Sequence, residues 1–182
     1  MGDNMAKTKK YYKKFDRSYP ITDKKFQKVL SFFLFECPTP GTSQRAKSFT
    51  ELGWSGSPQF SNLKKRLLNA ATPSLRSNYY PCKKSELQER FRTVESVSPV
   101  DEYCVFLKND EKTVIHSLFS AIRNAFAHGS FAVQTFKDVN GSKVRVYFFC
   151  NYHEYLKAEL VLQESTLLQW IEILKIGHDP TI

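Results

Sequence analysis

Between Asp110 and Ala127 the apolar residues Val114, Ile115, Leu118, Phe119, Ile122, Ala125 and Phe126 recur at three- and four-residue spacings. At 100° per residue they fall on one arc about 160° wide, which is the signature of a helix buried against a core rather than of a strand. Asn109 stands where a cap is expected, and Gly129 suits the left-handed conformation that closes a helix. The helix therefore spans about 110–127. Its C-terminal end and the residues just beyond read AIRNAFAHGSF, from Ala121 to Phe131, and set Arg123, Asn124 and His128 beside the buried arc.

Other segments carry the same helical period. Phe26, Val29, Leu30, Phe33 and Leu34 form a stripe over 23–36, with Thr22 as the cap and Pro38 as the stop. Ser57-Pro58 opens a helix through about Ala71, and Ser85 precedes one containing Leu87, Phe91 and Val94. A terminal helix is expected over about 165–176. Only the stretch of about 130–150 alternates like paired strands, around an Asn140-Gly141 turn. The pattern predicts a mostly α fold, a helical bundle with one inserted β-hairpin after the long helix. Residues 1–19, rich in lysine and tyrosine, read as a flexible basic arm, and 20–182 as a single domain.

Fifteen phenylalanines and a hydrophobic fraction of 41% supply a sizeable core. No apolar run is long enough to cross a bilayer, and no signal-peptide pattern is present, so a cytoplasmic location away from membranes is expected. Cys37, Cys82, Cys104 and Cys150 are far apart, which suits buried thiols and offers no metal site. Net charge is +9, and residues 41–92 hold ten Lys and Arg against three Asp and Glu. Such a balance favours a polyanionic partner, above all nucleic acid. Lys64, Lys65 and Arg66, on the outer face of their helix, fit either an RNA-binding wall or a solvated surface.

Arg123 and His128 are five residues apart, hence about 140° apart on a regular helix, and do not converge on one small target. Asn124 and His128, four apart, are neighbours. Convergence requires that His128 lie beyond the last regular turn, or that a second copy of the helix supply the missing group across a two-fold axis. An imidazole at a helix C-terminus is well placed to exchange protons, and an arginine beside it holds phosphate. No metal or cofactor is required. The same positions also fit a surface ion pair for Arg123 and a plain cap for His128.

The run Arg123, Asn124, AFA, His128 resembles the Rx4–6H motif of the HEPN superfamily, in particular of bacterial plasmid- and defence-associated members. The resemblance implies a metal-independent endoribonuclease of the toxin or phage-defence class, working as a homodimer with a composite cleft. His128 would act as acid or base while a ribose 2′-hydroxyl attacks phosphorus, Arg123 would stabilise the transition state, and Asn124 would assist. A cognate antitoxin or regulatory partner is also implied. Toxins of this type paired with nucleotidyltransferases often carry a tyrosine two residues after the histidine; here that residue is Ser130, which argues against control by adenylylation.

Two other functions fit the sequence. One is a winged-helix-like DNA-binding regulator, with residues 49–70 as a helix-turn-helix and the VNG hairpin as its wing. The other is a catalytically inactive HEPN interaction module.

Overall fold

The computed structural model describes residues 19–44 and 46–178. Of the basic arm, only Tyr19 falls within them, and it is packed: its ring stacks on Phe131 at 4.7 Å and its hydroxyl donates to the Phe131 carbonyl. The rest of the arm lies outside the described residues.

The framework is a sheet. Strands β1 (Tyr79–Cys82), β2 (Tyr103–Leu107), β3 (Phe131–Lys137), β4 (Lys143–His153) and β5 (Tyr155–Gln163) pair in the order β1-β2-β5-β4-β3. The β1–β2 pair is parallel and the other three are antiparallel. This α/β architecture corrects the mostly α bundle that the periodicity suggested. The expected hairpin exists as β3 and β4, but it is one side of a five-stranded mixed sheet rather than an insertion.

Helices cover both faces. On one lie α1 (Lys24–Ser31), α2 (Gly56–Ala70), α5 (Val114–Ala127) and α6 (Glu164–Ile176), sharing a core with Phe33, Phe119, Phe126, Tyr147, Phe149 and Trp170. Aromatic contacts bind this layer: Phe33 stacks on Phe119 and Phe126, and Phe126 meets Phe149 edge-on at 5.0 Å. The short α3 (Pro73–Ser77) contributes Leu75 to the same side. Against the opposite face, α4 (Leu87–Val94) sets Leu87 and Val94 on Val105, Val146, Phe148 and Val161.

The helix ends differ from the sequence reading in instructive ways. Asp23, not Thr22, caps α1, its carboxylate accepting from Lys25 and Phe26 N–H groups. The chain then continues through a wider π-type turn, Phe32–Glu36, which keeps Phe32 and Phe33 buried. Helix α5 begins at Val114 with Thr113 as cap, four residues later than expected, because the 108–112 segment is needed to leave β2. Helix α6 begins at Glu164, directly after β5.

Buried polar groups tie the layers together. Glu102, fully buried, accepts from Thr72 N, Thr72 Oγ1 and Gln163 N at 3.0, 2.6 and 2.7 Å, joining α3 to the end of β5. Arg145 on β4 bridges Asp23 at 2.9 Å and Glu164 at 2.8 Å, clamping the starts of α1 and α6 to the sheet.

Candidate functional site

Helix α5 crosses the sheet near one of its ends. Asn109, just past β2, donates its N–H to Ser117 Oγ at 3.1 Å; Asn151 Nδ2, near the end of β4, donates to the Ala121 carbonyl at 2.6 Å. Phe126 then meets Phe131, the first residue of β3. Successive turns of α5 thus pass from β2 to β3.

The end of α5 explains its polar residues. Ser130 N–H donates to Ala125 O at 2.8 Å and Gly129 N–H to Phe126 O at 3.2 Å, the paired bonds of a left-handed helix stop, with Gly129 at φ 62°. His128 is the cap itself, with its N–H on Asn124 O at 3.0 Å. Its ring is exposed. The glycine stop thus stands where the sequence pattern put it.

Arg123 and Asn124 are in direct contact: Arg123 Nη1 donates to Asn124 Oδ1 at 3.1 Å. Arg123 Nη2 donates to the Gly41 carbonyl, in the loop after the π-type turn, and Arg123 Nε is buried without a hydrogen-bond partner among the described residues. Arg123 is therefore half-buried and makes no ion pair among the described residues, unlike the surface pairing that its spacing also allowed. Asn124 thus meets Arg123 through its side chain, whereas its bond to His128 is the ordinary backbone bond of the helix, and no hydrogen bond joins the His128 ring to Arg123 or Asn124 among the described residues.

The other histidines divide cleanly. His116 Nδ1 lies 2.7 Å from Thr113 Oγ1, its ring packed on Phe49 and Phe60, and burial first, then Lys112, lowers its pKa. His178 packs on Trp54. His153 is exposed at the tip of the β4–β5 hairpin.

The four cysteines are buried and unbridged. Burial pushes the Cys37 thiol up to about 12 and the Cys82 thiol up to about 11, so neither is a ready nucleophile. Among the described residues no group of three or more His, Cys, Asp or Glu could hold a metal ion, and no helix is long and apolar enough to cross a membrane.

The basic triplet on α2 is split. Lys64 lies over the Tyr79 ring at 5.3 Å; Arg66 lies over Trp54 at 5.4 Å and donates to the Gly177 carbonyl at 3.5 Å. Of the three, only Lys65 is exposed. Two of the three cations thus pack against rings of their own protein.

A cationic group that the sequence reading passed over lies elsewhere. Lys83, Lys84 and Lys108 border an open depression of about 580 Å³, with Ser85, Leu107 and Asp110 completing its walls. Lys83 follows the last residue of β1 and Lys108 the last of β2, so both lie at the carboxyl ends of the parallel pair. The register aligns Tyr79, Cys104, Leu160, Phe149 and Phe131 in one row across the sheet. Measured from that row, Lys83, Lys108, Lys157, the hairpin tip and Ser130 all lie toward the same end of the sheet, the end where α5 stops at His128. Nothing in the bare sequence joins these residues; only the strand order does.

The chain matches no protein-family model, no curated protein and no solved structure.

Proposed function

We propose that this protein is a metal-independent endoribonuclease with His128, Arg123 and Asn124 as its catalytic residues, in the toxin or phage-defence class. The observation that carries this reading is a half-buried Arg123 guanidinium held by Asn124 Oδ1 at the end of the same helix that an exposed His128 caps. The likeness of RNAFAH to the HEPN motif adds support, on a sheet-based scaffold rather than the helical bundle the resemblance implied.

The reaction follows from these groups. The His128 imidazole takes the proton of a ribose 2′-hydroxyl as its oxygen bonds to the adjacent phosphorus. The P–O5′ bond breaks, and the leaving oxygen receives a proton from an imidazolium. The products are a 2′,3′-cyclic phosphate and a 5′-hydroxyl, with no redox change and no water consumed. Arg123 stabilises the negative charge that grows on the non-bridging oxygens, and Asn124 holds the guanidinium. A single imidazole serves one proton transfer per step, so a second copy across a two-fold axis, supplying its own His128, completes the pair.

Incubating the protein with single-stranded RNA in EDTA tests this. Cleavage is expected, and His128→Ala should lower its rate by roughly a hundredfold to ten-thousandfold with the fold intact. Equal cleavage by His128→Ala and Arg123→Ala variants would remove these residues from the reaction. Absence of cleavage together with retention of a protein partner would favour an inactive interaction module.

A further inference from the structure

We propose that the depression at the carboxyl ends of β1 and β2 is a phosphate-binding subsite for single-stranded RNA, the far end of a track that leads to His128. The idea rests on the ribonuclease reading for its direction, but its own evidence is separate. In sheets with parallel strands, ligands gather outside the carboxyl ends, where the chain leaves for a helix; here β1 leaves through Lys83, Lys84 and Ser85 into α4. Lys83, Lys84 and Lys108 are exposed around this hollow. Among the described residues no carboxylate pairs with the ammonium group of Lys83, Lys84 or the nearby Lys157, and Lys108 has only Asp110 at 3.8 Å; the exposed Glu86 carboxylate is nearby, accepting from the Lys83 backbone N–H at 2.8 Å.

The aromatic side chains favour a nucleic acid over an acidic peptide. Lys84 Nζ lies 4.5 Å and Lys157 Nζ 5.4 Å from the centre of the Tyr155 ring, so the ring draws both cations together at the start of β5. Tyr152, 39% exposed, stands on the other arm of the same hairpin, its hydroxyl held by the Glu154 carbonyl at 3.0 Å. Tyr155 is partly buried and carries both lysines, so of the two rings Tyr152 is the one open for a base to stack on, beside the exposed lysines that would meet the phosphates. The span is suitable as well: β1 and β3 are four strand spacings apart, about 19 Å, so the lysines would hold nucleotides a few residues from the scissile bond.

The test uses a 12-nucleotide 2′-O-methyl RNA, which binds but offers no 2′-hydroxyl to react, titrated by fluorescence anisotropy at several salt concentrations. Lys83→Gln/Lys84→Gln/Lys108→Gln should weaken binding at least tenfold at low salt. It should also reduce the slope of log K against log salt by about 2, since each single-strand phosphate contact contributes about 0.7. An unchanged slope overturns the proposal, as does a slope lost in Lys65→Gln and kept in the triple variant. Equal binding of polyglutamate through the same lysines also overturns it. Because no cleavage is measured, failure of this subsite is distinguishable from failure of the ribonuclease reading, which the EDTA assay on ordinary RNA decides.

Discussion

Glu154 occupies the single position between β4 and β5 and takes a left-handed backbone, φ 62°, among the described residues the one non-glycine to do so. A side chain there costs about 1–2 kcal/mol. Glu154→Gly is therefore expected to stabilise the protein by about 1 kcal/mol in urea unfolding, after the entropy lost by glycine is deducted. The reverse case is Gly129, whose added Cβ would meet nothing within 4 Å. Gly129→Ala should thus show backbone strain alone, a loss of about 1 kcal/mol. Gly177→Ala should cost more, because its Cβ would come 2.7 Å from the Leu52 carbonyl oxygen. Comparing the midpoints of these three variants separates strain from collision.

At the scale of elements, the Asp23–Arg145–Glu164 clamp makes a pH prediction. The Arg145 guanidinium, then the Phe26 N–H, holds the Asp23 carboxyl down to about 2 from an ordinary value of 3.8. A carboxyl depressed in the folded state stabilises above its unfolded pKa and loses that contribution as pH falls toward the folded value. Thermal stability should fall between about pH 4 and 2, and Asp23→Asn should flatten that part of the curve. The elements themselves were unequally legible. Helices α1, α2, α4, α5 and α6 announce their buried stripes, and the glycine stop of α5 was readable residue by residue. Strand β2, YCVFL, is buried at four of five positions and shows no alternation. Strand β1, YYPC, contains a proline and sits at the sheet edge, where a missing N–H is tolerated. Strand β5 was there to be found: Tyr155, Lys157 and Glu159 alternate with Leu156, Ala158 and Leu160.

At the scale of the whole molecule, long-range pairing decides what local periodicity cannot. The parallel β1–β2 contact and the insertion of β5 beside β2 create the sheet end that gathers His128, the hairpin tip and the lysine hollow, whereas the Arg123–Asn124–His128 group lies within six consecutive residues and was visible in the sequence. Glu102 shows how the distant parts are joined. Glu102→Ala would leave the Thr72 and Gln163 N–H groups without their acceptor, at about 1–3 kcal/mol each, so a total loss of about 3 kcal/mol is expected in chemical unfolding. Glu102→Gln should recover only part of it, because both carboxylate oxygens accept bonds and the amide offers one.

The most direct test of the central claim is the chemistry of the ends produced from a defined RNA oligonucleotide in EDTA, read by mass spectrometry. Attack by a ribose hydroxyl, driven by His128, predicts fragments ending in 2′,3′-cyclic phosphate and beginning with 5′-hydroxyl, and their disappearance in His128→Ala. Intact RNA, or fragments beginning with 5′-phosphate, would contradict it.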